Sequence, residues 1–177
     1  MTRRVIFVDP DIWTQPKETR MTIGPVDAGD LRRAAAFIKH FAYDNRDGMN
    51  AILIEALEAQ RASQFIDGIL ATYDAIVPQL VTPAGQRAMV EMVLAIPDNP
   101  NYDEDCWRAA RFLIAHGNQD RDGMNQIMHE TENVSPTIIG LLDVYASILP
   151  TLHTPFGMEM IERGIRTLSG MEVEADQ

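Results

Sequence analysis

Cysteine is nearly absent from this chain. The single Cys106 leaves no internal disulfide to form and no Cys/His ligand pattern to read, which suits a reducing compartment, and the cytoplasm is the expected location. Aromatic residues make up only 7% of the sequence, so core volume has to come from aliphatic side chains and the ten methionines. Long apolar runs are missing too. The one at the N-terminus, Val5 to Val8, stops at Asp9, too short for a signal-peptide core or a bilayer span, and no membrane partner is expected. Positive charge is scarce: 15 Lys and Arg against 26 Asp and Glu give −11, a balance that repels phosphate backbone and argues against direct nucleic-acid binding.

Catalytic signatures are also lacking. There is no GxSxG and no glycine-rich phosphate loop. HExxH fails because Asn133 stands where the second histidine belongs, and a di-iron ExxH fails because Arg61 follows Glu58 and Asn133 follows Glu130. No metal and no cofactor is expected.

What is present is repetition. Residues 44–50 read Asp-Asn-Arg-Asp-Gly-Met-Asn and residues 120–125 read Asp-Arg-Asp-Gly-Met-Asn. At an offset of 75, Asp30, Arg33, Ala34, Ala35, Phe37, Ile52 and Glu55 match Asp105, Arg108, Ala109, Ala110, Phe112, Ile127 and Glu130. At an offset of 72, Ser63, Gly68, Tyr73, Pro78, Leu80, Thr82, Pro83 and Gly85 match Ser135, Gly140, Tyr145, Pro150, Leu152, Thr154, Pro155 and Gly157. Identity over these blocks is 23 of 50 positions, far beyond coincidence, so the sequence reads as an internal duplication.

Each copy reads as four helices. In the first copy a helix over about 30–43 carries Leu31, Ala34, Ala35, Ile38 and Phe41 on one stripe. A second, with Asp47 expected as N-cap, carries Met49, Ile52, Leu53, Ala56 and Leu57. A third opens at Ser63, with Pro78 expected to disturb its end, and Thr82-Pro83 starts a fourth. The expected fold is all-α: a duplicated four-helix unit packed about a pseudo-twofold axis, with a short N-terminal extended arm or β-hairpin. Its parts are an arm over 1–29, repeat one over 30–96, an acidic linker over 97–104, repeat two over 105–170 and an acidic tail over 171–177, the two repeats forming one compact body. The segment from Asp98 to Asp105 and the tail hold seven of the excess negative charges (Asp98, Asp103, Glu104, Asp105, Glu172, Glu174, Asp176), which fits solvated flexible segments.

The favoured reading is a non-enzymatic helical protein that binds another protein or itself, as a homodimer. The partner-binding residues are expected in the repeated turn, Arg46, Asp47 and Asn50 with Arg121, Asp122 and Asn125. The competing reading is a small-molecule or metal-binding protein, or an enzyme, using His116, Asp120, His129 and Glu130 of the second copy alone. The stretch from Asn118 to Gly123 matches the opening of a calcium loop, but its twelfth position is His129 rather than glutamate, so a capped turn is expected instead. Arg33 with Glu55, and Arg108 with Glu130, are expected to pair between neighbouring helices. Phe156, Met158 and Met160 are expected to lie uncovered.

Overall fold

A computed structural model describes residues 26–131 and 135–175 of the 177-residue chain. The expected N-terminal arm or hairpin therefore lies outside the described residues, apart from its last few positions. The described residues form eight α-helices and no strand. They are α1 (Ala28–Ala42), α2 (Arg46–Glu58), α3 (Ala62–Leu80), α4 (Pro83–Ala95), α5 (Glu104–Gly117), α6 (Arg121–Met128), α7 (Ser135–Ile148) and α8 (Pro155–Ala175), with a single 3-10 turn, Pro150–His153, ahead of α8. Among the described residues no helix is long and apolar enough to cross a membrane.

The helices divide into two compact units. One consists of α1, α2, α3 and α8; the other is Val81–Leu152, which holds α4, α5, α6 and α7. The fourth helix of each sequence copy therefore belongs to the unit built by the other copy's first three. In the first unit α1 is central, packed by α2, α3 and α8. Its core joins the expected stripe residues Ala34, Ala35, Ile38 and Phe41 to Phe37, whose ring meets Phe65 of α3 edge to face at 5.3 Å. From α8, Met158 and Ile161 are buried while Phe156 stays 62% exposed, so of the residues expected to be uncovered Phe156 is exposed and Met158 is not. The second unit is centred on α5 and α7, the latter buried along Ile138, Leu141, Leu142, Val144 and Tyr145.

Close approach in each unit depends on a glycine. A Cβ on Gly68 of α3 would lie 3.0 Å from the Asp30 carbonyl oxygen of α1, and one on Gly140 of α7 would lie 2.5 Å from the Asp105 carbonyl oxygen of α5. The same two helices meet at the same sequence-equivalent positions in both units.

Helix starts agree with the expected devices in part. Thr82 caps α4 with Pro83 following, and Thr154 Oγ1 accepts from the Gly157 N–H at the start of α8. Pro78 does not end its helix, because α3 runs on to Leu80; a proline this close to a C-terminus removes only one late N–H. Acidic residues assigned to flexible segments prove to be structured. Asp103 caps α5, Glu104 and Asp105 occupy its first turn, where a helix favours negative charge, and Glu172 lies on α8 in contact with Arg32.

Candidate functional site

The repeated Arg-Asp-Gly-Met-Asn segment forms the corner that leads into α2 and into α6. Helix α1 is capped at its C-terminus by Tyr43, Asp44 turns into the left-handed region (φ 53°), and Asn45 caps α2 by accepting from the Gly48 N–H at 2.9 Å. Helix α5 is capped at its C-terminus by Asn118, Gln119 is left-handed (φ 58°), and Asp120 caps α6 by accepting from the Gly123 N–H at 2.9 Å. The reversal bonds also correspond: Asn45 N–H to the His40 carbonyl and Asp120 N–H to the Ala115 carbonyl, each 2.9 Å. Asp47 and Asp122 are therefore not the N-caps they were expected to be. The left-handed residue makes each helix begin at the arginine, so the side chain preceding it faces the free N–H groups.

With capping supplied elsewhere, Arg46, Asp47, Arg121 and Asp122 are all exposed. Asn50 is half-buried with its Oδ1 enclosed and lacking a hydrogen bond, whereas Asn125 is exposed and uses its backbone carbonyl to bond the His129 ring at 2.7 Å. Gly48 is held by packing, since a Cβ there would run into the His40 ring. Burial lowers the pKa of that ring below its usual value, and Lys39 beside it adds to the effect.

Behind the first corner an alternating chain of charge runs through the unit. Asp30, with no exposed surface, accepts from Arg61 Nε at 2.8 Å and from Arg33 at 3.1 Å, and makes a further short contact with the Arg61 guanidinium. Burial alone would raise the Asp30 carboxyl. The bonds from Arg61 and the Asp27 backbone, with the charges of Arg61 and Arg33, outweigh it and hold the group below the usual range. Arg33 also reaches Glu55 at 3.1 Å, the expected pair, and Arg32 bridges Glu55 and Glu172.

In the second unit the pairing differs. Arg108, 7% exposed, bonds Asp105 at 3.0 Å and Glu104 at 2.7 Å, but its Nε is 3.9 Å from Glu130 and has no hydrogen bond. Glu130 is instead gripped by both terminal nitrogens of Arg111 at 2.7 and 2.8 Å, which holds its carboxyl below the usual range. Asp105 is 46% exposed on its side chain where Asp30 is buried. The sequence carries Asn133 at the position matching Arg61.

The residues of the competing ligand site each have other engagements. Asp120 caps α6, His129 bonds its own helix, Glu130 holds Arg111, and His116 is also in contact with a partner. Among the described residues no group of three or more His, Cys, Asp or Glu is placed to hold a metal ion. At Cys106 burial, then its hydrogen bond to Asp103 and the charges of Asp103, Asp143 and Asp105, push the thiol up to about 12, which disfavours the thiolate. Sequence reasoning missed Arg61 and Arg111. Neither belongs to the matched set, and only the fold brings them to Asp30 and Glu130.

No protein-family model, curated protein or solved structure matches this chain.

Proposed function

We propose that this chain is a duplicated, non-enzymatic helical protein that binds another protein, or a second copy of itself, through its two Arg-Asp corners. One observation carries the reading: the exposed Arg-Asp pair is the same in both corners although the exposed residues just before it, Asp44-Asn45 and Gln119-Asp120, differ. The cap is Asn45 in one and Asp120 in the other, and the left-handed residue is Asp44 or Gln119, so the turn tolerates substitution where it does its structural work. Arg46 and Arg121 nevertheless share a place, the first turn of a helix, where the macrodipole disfavours positive charge. An exposed arginine held twice against that preference, beside an exposed aspartate, fits recognition of a partner.

The test is affinity capture from the native cell lysate with the full chain, compared with Arg46→Ala/Asp47→Ala, Arg121→Ala/Asp122→Ala and the combined variant. Partners should weaken with either pair and disappear with the combination, while circular dichroism stays unchanged. Equal capture by the intact protein and the combined variant would remove the corners from the interface. A cytoplasmic setting accords with the lone cysteine.

A further inference from the structure

We infer that the fourth helix of each copy is a donor element and the first three helices its receptor for a second copy, so that the chain is a tethered pair of helix-exchanging subunits. The inference rests on the duplication proposed above but not on the corners being its binding surface. Both copies launch the fourth helix by the same device, Thr82-Pro83 or Thr154-Pro155, and both send it into the other copy's unit. There α4, with Met89 and Val93 buried, packs against α5 and α7, and α8, with Met158 and Ile161 buried, packs against α1. Neither copy is closed by its own fourth helix.

Side-chain matching selects this exchange. Lys39 of α1 meets Glu162 of α8 at 2.7 Å, and Arg32 meets Glu172 at 2.6 Å. At the equivalent positions the second copy carries Ile114 in place of Lys39, and α4 carries Val90 in place of Glu162. The receptor with a lysine thus takes the helix with a glutamate, and the receptor with an isoleucine takes the helix whose Val90, at the glutamate's position, stays exposed. Folding each fourth helix back on its own copy would set Lys39 opposite an aliphatic residue and Glu162 opposite another. That penalty on the self-closed form is how related helices discriminate between partners. The occupant each receptor fits is therefore the amphipathic fourth helix of a second copy, seated apolar face inward, with charge pairs at its flank in the first unit.

The experiment uses the full chain with a protease recognition sequence inserted between Pro100 and Asn101, cut after folding. The cut protein should elute at the mass of the uncut one and keep its helical ellipticity, and its unfolding midpoint should become concentration-dependent. In the cut protein Lys39→Glu should weaken association of the halves by about two- to fivefold, as expected for a partly exposed pair, and adding Glu162→Lys should restore it. Separation of the halves into independent helical fragments, or their precipitation, would overturn the inference. So would equal dissociation of Lys39→Glu and the double variant. Failure of the corner variants to lose partners leaves these outcomes unaffected, so the two readings fail separately.

Discussion

Asp30 carries more of the first unit than any other polar residue, because it is fully buried and two arginines depend on it. Replacing it by asparagine leaves Arg61 with Asp27 and Arg33 with Glu55 but removes the buried charge both face, and the expected cost is about 1–3 kcal/mol in urea unfolding, with part recovered by adding Arg61→Met. The equivalent Asp105→Asn, at a side chain 46% exposed, should cost under about 1 kcal/mol. Glu130→Ala should also cost under about 1 kcal/mol, since its main partner Arg111 is itself exposed. Histidine sets the acid response at milder pH. His153 is pushed below its usual pKa by burial, with an enclosed Nε2 that has no hydrogen bond, and its ring stands edge-on to Phe41. The folded state therefore prefers the neutral ring. Stability from His153 and His40 is complete above about pH 6.5 and falls as pH drops from there through their lowered folded values. Thermal melts from pH 8 to 5 should show this decline, and His153→Leu should flatten it. The Asp30 contribution persists to lower pH, being present above 3.8 and lost only as pH falls through its depressed value.

Among the described residues, three helix corners use a left-handed residue that is not glycine: Asp44, Gln60 and Gln119. Each carries a Cβ into a conformation that glycine adopts freely. Asp44→Gly, Gln60→Gly and Gln119→Gly should each stabilise by up to about 1 kcal/mol in chemical denaturation. Removing the caps should act in the opposite sense: Asn45→Ala and Asp120→Ala should each cost about 1 kcal/mol, whereas Asp47→Ala and Asp122→Ala should stay within about 0.5 kcal/mol. A larger loss at Asp47 than at Asn45 would contradict the capping assignment. Helix contacts give a further contrast. Alanine normally favours a helix over glycine, yet Gly140→Ala should destabilise by about 1–3 kcal/mol, and more than Gly68→Ala, because its Cβ meets a backbone carbonyl at 2.5 rather than 3.0 Å.

For the whole molecule, apolar surface is left in view. Val90, Met92 and Leu94 of α4, Trp107 of α5, and Phe156 and Met171 of α8 are all exposed. Self-association is the proposed way of covering part of that surface, and closed twofold pairing is the commonest form. Light scattering coupled to size exclusion should give a mass near twice the 19.8 kDa chain. A monomer at every concentration would reserve the surface for a different protein.

Helix content was legible in the sequence because its signals are local. Apolar residues recur at three and four, and Thr-Pro starts α4 and α8, so the stripes of Ala34, Ile38, Phe41, Ile52 and Leu53 lie in the core as spacing predicts. The repeat was legible because identity needs no coordinates. The N-cap was misplaced by two residues, since the left-handed turn at Asp44 leaves no mark when glycine is absent. Tertiary structure alone decided which fourth helix closes which unit. Both α4 and α8 carry an apolar face and the same proline start, and such a face specifies burial without specifying the partner. It likewise decided that Asp30 is buried and Asp105 half-exposed. Asp30 is met there by an arginine 31 residues along the chain, brought to it when α1 packs on α3.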